Sequence, residues 1–262
     1  MPGSTSGPER RWWRSAPRVS PIRGSPSVSP ATWGRIVVEV IAALDVAGRD
    51  DALRWLDRVP ALRWVKVGSV LMTREGAPFV RELVGRGLSV FLDLKWHDIP
   101  NTVAGAVEAA RGQGVRMATV HTLGGRAMLE AAAQAAGTEL GLVGVTVLTS
   151  LDAEALGAAV GRRKVDPARE VGRLARIGRA AGLRGAVCSP LEAASVRRIV
   201  GPDGWVVVPG IRRAGDVGGD QVRTATPADA VRAGGSHLVV GRPLLGAADP
   251  AAALGEFFAA GA

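Results

Sequence analysis

Three charged side chains lie close together in the segment Asp93-Leu94-Lys95-Trp96-His97-Asp98. This segment follows the apolar run 88–92, which is typical of a buried strand, and precedes the Ala-rich run 103–110, which is typical of a helix. In parallel α/β folds, ligands bind at the carboxyl ends of the strands. Two carboxylates and an ammonium group at such a place are costly to desolvate unless they pair with each other or with a ligand. We therefore expect Asp93, Lys95 and Asp98 to lie in a strand-to-helix loop and to form part of a charged ligand site.

Lysine usage indicates which of the cations have a chemical role. The chain has 30 Arg but only three Lys, namely Lys66, Lys95 and Lys164. Arg effectively never releases its proton, whereas the compact ammonium group of Lys can transfer one. Lys66 and Lys95 lie at or near the ends of predicted strands, which supports a role in chemistry for both.

From residue 35 onwards, apolar runs alternate with segments of helical periodicity. The apolar runs are continuous, as expected of strands with both faces buried, and they cover residues 36–44, 64–68, 89–94, 117–121, 142–148, 186–188, 205–208 and 237–240. The predicted helices cover residues 51–59, 73–85, 103–113, 126–136, 166–181, 191–200, 227–233 and 250–259, with a short additional helix at 153–160. Eight strand–helix units of this size predict an α/β fold of the (β/α)8 TIM barrel type in a single domain. A doubly wound open sheet is the alternative, although no Gly-x-Gly-x-x-Gly turn follows the first strand.

The first 33 residues differ from the rest of the chain in composition. They are rich in Pro, Ser and Arg and show no helical or strand period, so we expect a disordered extension at residues 1–33 and the barrel domain at residues 34–262. Five Arg and one Glu fall in residues 1–34, which leaves a net charge of +5 on the other 228 residues. The basic composition therefore does not indicate a specific nucleic-acid role. The segment lacks the apolar centre of a secretory signal and resembles an organelle transit peptide only weakly. A tail without a function of its own, or a start codon placed too early, is the simplest interpretation.

Several classes of protein are disfavoured by what the sequence lacks. No apolar run approaches 18 residues, so no membrane span is predicted. The single Cys, Cys188, cannot form an internal disulfide, which suits a cytoplasmic location. No Cys/His cluster has zinc-site spacing and no Gly-x-Ser-x-Gly turn occurs, so we expect neither a metal site nor a serine hydrolase.

Polar side chains end or follow most of the predicted strands. They are Asp45, Lys66, Asp93, Lys95, Asp98, His121, Thr149, Ser150, Arg212 and Arg242. In a barrel these residues would converge on the C-terminal face, where the five residues Asp45, Lys66, Asp93, Lys95 and Asp98 would form one charged network. Structural interpretations remain open for individual residues: Asp45 as a helix cap, Lys66 at the barrel rim, and His121 as a hydrogen-bonded core residue.

The last two strand ends have the features of a phosphate site. Gly210-Ile211-Arg212 opens the long loop 213–226, which contains Gln221 and several Gly residues and has the character of a lid. Gly241-Arg242-Pro243 combines a Gly turn, a guanidinium group and the start of a helix. Phosphate sites of barrels lie after strands seven and eight, where helix N–H groups and Arg favour a dianion. A simple turn is the alternative interpretation of Gly241-Arg242-Pro243.

The segment from Asp93 to Thr102 resembles the Asp-x-Lys-x-x-Asp-Ile-Pro-Asn-Thr signature of the orotidine 5'-phosphate decarboxylases. Six further blocks match that family in order: Ala43-Leu44-Asp45, Val65-Lys66-Val67-Gly68, Val147-Leu148-Thr149-Ser150, Val208-Pro209-Gly210-Ile211-Arg212, Gly219-Asp220-Gln221 and Val240-Gly241-Arg242-Pro243. The resemblance covers residues 36–262. The first block alone is less specific, because sugar-phosphate decarboxylases and synthases of the same superfamily share Asp-x-Lys-x-x-Asp.

The resemblance implies decarboxylation of orotidine 5'-monophosphate (OMP) to UMP, the last step of de novo UMP biosynthesis, without a metal or an organic cofactor. It implies that Lys95 protonates the pyrimidine carbon as carbon dioxide leaves, that Asp93 lies against the substrate carboxylate, and that Lys66 and Asp98 complete the charged array. It also implies that Asp45 and Lys66 hold the ribose.

The resemblance extends to the other substrate contacts and to the assembly. Asp98, Ile99 and Thr102 would come from the other subunit, which implies a homodimer. Thr149 and Ser150 would contact the pyrimidine. The phosphate would be held by Arg212, Gln221, Gly241 and Arg242.

Three other functions are weighed against this one. A metal-dependent sugar-phosphate decarboxylase or synthase would use the same barrel, but Lys66 and the lack of an evident extra acidic ligand disfavour it, and EDTA would discriminate. A non-enzymatic nucleotide-binding protein would not need Lys95 together with both Asp residues. A nucleic-acid binder acting through the tail would lose its binding on deletion of residues 1–33 and would show a steep salt dependence.

Overall fold

The structure is a computed structural model that describes residues 38–213 and 224–259. The chain divides into two units at Thr32/Trp33, and all described residues belong to the second unit. Eight parallel strands close into a barrel in sequence order, with β1 paired to β8, which confirms the predicted (β/α)8 fold. The strands are β1 Glu39–Ala43, β2 Trp64–Gly68, β3 Ser89–Trp96, β4 Met117–His121, β5 Gly141–Val145, β6 Gly185–Val187, β7 Trp205–Val208 and β8 His237–Val240.

Ten α-helices lie in the described ranges, eight of them between strands and the last two after β8. They are α1 Arg49–Leu56, α2 Ser69–Gly85, α3 Pro100–Gly112, α4 Gly125–Ala136, α5 Ala153–Ala159, α6 Pro167–Ala180, α7 Ala193–Val200, α8 Pro227–Arg232, α9 Arg242–Leu245 and α10 Pro250–Ala259. Several begin at a side-chain cap, because Asp152, Asp166 and Thr226 each accept a backbone N–H bond in the first turn of the helix that follows. None of the helices described here has the length and apolar character needed to span a bilayer.

Successive side chains of the strands face two separate cores. Residues paired across neighbouring strands point to the same side, and the pairs Ile41–Trp64 and Phe91–Met117 belong to a small apolar cluster inside the barrel. The alternate residues, such as Val65 and Val90, belong to the larger cluster between the barrel and its helices. The strands therefore read as continuous apolar runs because both faces are buried.

Aromatic side chains fill the N-terminal end of the barrel. The Trp64 and Trp205 rings meet edge to face at 6.3 Å, and His237 lies against both. A Cβ atom at Gly141 would come within 2.1 Å of the Trp205 ring, so that glycine provides the space for the indole. The barrel is thus closed at this end, which leaves the C-terminal end for a ligand.

The third strand differs most from its prediction. It continues to Trp96 instead of residue 94, so Lys95 as well as Asp93 lies within β3, although both were expected in a ligand loop. Leu92 pairs with Ala118 but Trp96 pairs with Val120, so β3 holds two more residues than β4 over this stretch. This bulge turns the backbone at Lys95, which has φ +51°.

Other boundaries differ by a few residues. The fifth strand ends at Val145 instead of residue 148, because the apolar residues after it line a cavity rather than pair with a neighbour. Helix α2 begins at Ser69 and is interrupted at Gly76, where φ is +65°. Residues 36 and 37 of the predicted first strand, and the predicted extension at residues 1–33, lie outside the described residues.

Candidate active site

A cavity of about 410 Å³ opens at the C-terminal end of the barrel. Nine of the predicted site residues line it: Asp45, Lys66, Asp93, Lys95, Thr149, Ser150, Arg212, Gly241 and Arg242. Its deeper wall is apolar and includes Phe91, Val207 and Val239 from the barrel interior. The expectation that strand ends on both sides of the barrel converge on one site is therefore confirmed for these nine residues.

Four charged side chains alternate in sign across the cavity floor. The Lys66 Nζ atom lies 3.2 Å from Asp45 Oδ1 and 3.9 Å from Asp93 Oδ2, and the Lys95 Nζ atom lies 2.9 Å from Asp93 Oδ1. The two central side chains are largely but not fully buried, with 12% of Lys66 and 15% of Asp93 exposed. Each buried charge has partners of opposite sign, which offsets part of its desolvation cost. The side chain of Lys95 is 42% exposed and lines the cavity.

The backbone at Lys95 is held by a residue that the sequence reasoning missed. Lys95 is the one non-glycine residue with positive φ in the described ranges. Its N–H donates to Thr119 Oγ1 at 2.8 Å, and the Thr119 hydroxyl lies 3.1 Å from Asp93 Oδ1, to which it donates. Thr119 is fully buried in β4. A polar residue amid the apolar run Met117-Ala118-Thr119-Val120 was the available signal.

Asp98, which was predicted to belong to the charged network, does not line the cavity of its own chain. Asp98, Ile99 and Thr102 are exposed and do not line the cavity, and Ile99 is 66% exposed. The Asp98 Oδ1 atom accepts the Ile99 N–H at 2.6 Å, next to the start of α3. The structure therefore joins Asp45, Lys66, Asp93 and Lys95 within one chain but leaves Asp98 apart from them.

Two histidines stack beside the array. The His97 and His121 rings lie 5.3 Å apart and nearly parallel, and His121 Nδ1 accepts the Leu123 N–H. Burial lowers the pKa of His121 from its usual value, and the nearby His97 and Lys95 lower it further. The His121 side chain therefore caps the turn after β4 and does not line the cavity.

Three of the predicted phosphate residues, Arg212, Gly241 and Arg242, line the same cavity. Arg242 begins α9 directly after Gly241, and Arg212 follows β7. A bridge between Ile211 and Ala225, with the Arg212 N–H bonded to the Ala225 carbonyl, joins the two ends of the long loop at this point. Gln221 lies outside the described residues. The arrangement therefore brings two guanidinium groups to a cavity whose floor holds the charged array.

The geometry defines the chemistry that this site can support. Two ammonium groups held by carboxylates, in a cavity lined by both polar and apolar side chains, form a preorganised field that can stabilise developing negative charge. Lys95 is the more exposed of the two ammonium groups, and an ammonium group, unlike a guanidinium group, can release a proton. In the described ranges, no three His, Cys, Asp or Glu side chains come together as metal ligands.

Comparisons with known proteins show which family this chain resembles. A model of the "Orotidine 5'-phosphate decarboxylase / HUMPS family" matches residues 39–257. A relative from Anaeromyxobacter sp. (strain K) is 53% identical over 194 residues, which cover 74% of this chain and 85% of the relative. A relative from Chromohalobacter salexigens is 49% identical over 221 residues, which cover 82% and 92% of the two chains. Both relatives are named orotidine 5'-phosphate decarboxylase. A crystal structure of orotidine 5'-phosphate decarboxylase from Lactobacillus acidophilus superimposes with a TM-score of 0.76 at 35% identity, over 85% of this chain and 98% of that one.

Proposed function

Because this chain belongs to the orotidine 5'-phosphate decarboxylase / HUMPS family, we propose that it converts OMP to UMP and carbon dioxide in pyrimidine biosynthesis. The observation that carries the proposal is the Lys66–Asp93–Lys95 array on the floor of a cavity that Arg212 and Arg242 also line. The names of the relatives favour this carboxy-lyase activity over that of a metal-dependent sugar-phosphate enzyme.

The array accounts for the chemical step without a cofactor. When the bond between C6 of the pyrimidine and its carboxylate breaks, carbon dioxide leaves and the electron pair stays on C6. The Lys95 ammonium stabilises this charge and then donates its proton to C6, which gives UMP, and the exposed amine regains a proton from water. The Asp93 carboxylate faces the substrate carboxylate, and the repulsion between them is relieved as carbon dioxide departs. Asp93 stays in place because Lys95 lies 2.9 Å from it and Thr119 donates to it.

The remaining cavity residues bind the unreactive parts of the substrate. Asp45 and Lys66 hold the ribose, and Thr149 and Ser150 contact the pyrimidine. The phosphate is held by Arg212, Gln221, Gly241 and Arg242. Binding energy from the distant phosphate is then available to orient the pyrimidine against Lys95, which raises the rate only if it is expressed in the transition state.

The active form is a homodimer in which Asp98, Ile99 and Thr102 complete the cavity of the partner subunit. This proposal is supported by their exposure and by their absence from the cavity of their own chain. Subunit mixing tests it. Lys95→Ala and Asp98→Ala homodimers would both be inactive, but a mixed dimer would have one intact site of its two. An equimolar mixture with random subunit exchange, in which half of the dimers are mixed, would therefore regain about a quarter of the wild-type activity. No recovery in a mixture that has exchanged subunits would contradict the shared site.

Residues 34–262 are sufficient for the activity, which does not need residues 1–33. The enzyme works in the cytoplasm. A chain that begins at residue 34 should therefore match the full chain in OMP turnover. Loss of turnover in a folded truncated chain would contradict this boundary.

The test of the function itself is an ultraviolet assay of the purified protein with OMP in the presence of EDTA, with UMP quantified by chromatography. We expect substrate absorbance to fall as UMP forms at an equal rate. A folded protein that turns over OMP only with added magnesium, or that acts on a sugar phosphate but not on OMP, would refute the proposal.

A further inference from the structure

We infer that Thr119 is a positioning residue of this site, whose single hydroxyl fixes both the backbone of Lys95 and the carboxylate of Asp93. The inference rests on the proposed decarboxylation for its kinetic consequence. The geometry that carries it is independent of the substrate.

The Thr119 hydroxyl makes two hydrogen bonds, as the acceptor in one and as the donor in the other. Its oxygen accepts the Lys95 N–H at 2.8 Å, and the hydroxyl lies 3.1 Å from Asp93 Oδ1. A hydroxyl group has one proton and two lone pairs, so its proton is available for the carboxylate. A bond from a hydroxyl to an ionised carboxylate is a charge-assisted one, and Thr119 is fully buried, where such bonds are strongest.

The Lys95 backbone needs this support because of its conformation. At φ +51° Lys95 adopts the left-handed region, which is unfavourable for any residue with a Cβ atom. It persists only where its surroundings hold it. The β-bulge between Leu92 and Trp96 places the Lys95 N–H against a side chain of β4, and Thr119 supplies the acceptor.

Both hydrogen bonds of the Thr119 hydroxyl hold the contact between the Lys95 ammonium and the Asp93 carboxylate. Asp93 Oδ1 receives the Thr119 hydroxyl and the Lys95 ammonium, while Asp93 Oδ2 lies 3.9 Å from Lys66 Nζ. Without the hydroxyl, the carboxylate is free to rotate towards Lys66 and the Lys95 backbone is free to relax towards negative φ. Either change displaces the ammonium from the carbon that it protonates. A displacement of about 1 Å in a reacting group lowers a rate by roughly 100-fold.

The test compares Thr119→Val, which keeps the shape and removes both bonds, with Thr119→Ser, which keeps the hydroxyl. Thr122→Val is the matched control, because Thr122 is also buried and its hydroxyl donates to the Val145 carbonyl without contacting the array. We expect Thr119→Val to lower kcat by roughly 10- to 100-fold with KM for OMP and Kd for UMP within about threefold of wild type. Thr119→Ser should restore kcat to within about threefold, and Thr122→Val should leave kcat unchanged.

Crystal structures of wild type and Thr119→Val provide a readout that does not depend on turnover. In the variant, we expect Lys95 to leave the left-handed region and its contact with Asp93 Oδ1 to lengthen beyond hydrogen-bonding distance. An unchanged Lys95 conformation would overturn the inference, as would a kcat loss no larger than that of Thr122→Val. Equal losses in Thr119→Ser and Thr119→Val would assign the effect to packing and would also overturn it. A wild-type protein without OMP turnover would instead refute the proposed function, and the two structures would still decide whether Thr119 positions Lys95.

Discussion

Replacement of Arg197 by Met should destabilise the barrel without altering its chemistry. Arg197 is fully buried in α7 and does not line the cavity. Its Nε atom donates to the Gly234 carbonyl at 2.9 Å. Its Nη1 atom lies 2.6–2.9 Å from the carbonyls of Gly201, Pro202 and Gly204. The Arg197 side chain thus forms hydrogen bonds with both of the loops that precede β7 and β8.

The size of the effect follows from these contacts. A hydrogen bond to a charged group contributes about 1.5–3 kcal/mol, and a buried acceptor left without its donor costs about 1–3 kcal/mol. The four contacts are not independent, because the three made by Nη1 share two protons. Met also removes the buried Nη2 group, which has no hydrogen-bond partner in the described part of the chain. The equivalent of about two hydrogen bonds from a charged donor, at about 1.5–3 kcal/mol each, is lost, and removal of the Nη2 group offsets part of this loss. The free energy of unfolding should therefore fall by about 3–5 kcal/mol. For a domain of this size, such a loss lowers Tm by roughly 10 °C.

Arg198→Met is the matched control for this prediction. Arg198 is the next residue of α7, is exposed, and makes no ion pair with any described residue. Urea denaturation at a fixed protein concentration gives the free energy of unfolding, and OMP turnover is measured at a temperature where both variants are folded. We expect Arg197→Met to be destabilised and active, and Arg198→Met to match wild type within about 0.5 kcal/mol. Equal stability of the two variants would refute the role assigned to the buried guanidinium group, and a large loss of kcat in folded Arg197→Met would refute its separation from the site.

Two further predictions concern pH and phosphate binding. Burial, and then the nearby Arg197 and Arg184, lower the pKa of His237 to about 4, from about 6.5 in the unfolded chain. The unfolded chain therefore takes up a proton on His237 at a higher pH than the folded protein does. The contribution of His237 to the stability of the fold is complete above pH 6.5 and is lost as the pH falls towards 4. Urea titrations at pH 7.5 and 4.5 should show this loss, about 3 kcal/mol at most, in wild type but not in His237→Gln, and an equal pH dependence of the two would contradict it. Arg242→Ala should reduce kcat/KM for OMP by roughly 10- to 100-fold, because a charge-assisted bond to phosphate is lost. The same variant should act on orotidine at an unchanged rate, so that equal losses for the nucleotide and the nucleoside would exclude a phosphate contact.

The barrel was predictable because its signals are local and repeat along the chain. Three strands have the predicted bounds, because each is a short apolar run between turn residues. They are Trp64–Gly68, Trp205–Val208 and His237–Val240. Convergence of Lys66 and Arg242 on one cavity then follows from the topology, because all parallel strands end on the same side.

Other features depend on contacts between distant residues, which the pattern of the sequence does not encode. The charges at Asp93 and Lys95 suggested a loop, yet both residues continue β3, since an inward-facing side chain at the barrel mouth reaches the ligand cavity. The apolar residues Val147 and Leu148 suggested a longer fifth strand, yet they line the cavity after the strand has ended. The left-handed conformation of Lys95 arises from the register between β3 and β4, which no local propensity indicates.

Turnover of OMP by the Lys95→Ala and Lys164→Ala variants tests the central claim most directly. Lys164 is exposed in the turn between α5 and α6 and lies outside the cavity, so its loss controls for the removal of a lysine. The assay contains EDTA, and circular dichroism establishes that each variant is folded. We expect wild type and Lys164→Ala to form UMP at the same rate and folded Lys95→Ala to form none above background. Turnover of Lys95→Ala near the wild-type rate would contradict the assignment of Lys95 as the proton donor and, with it, this account of the site.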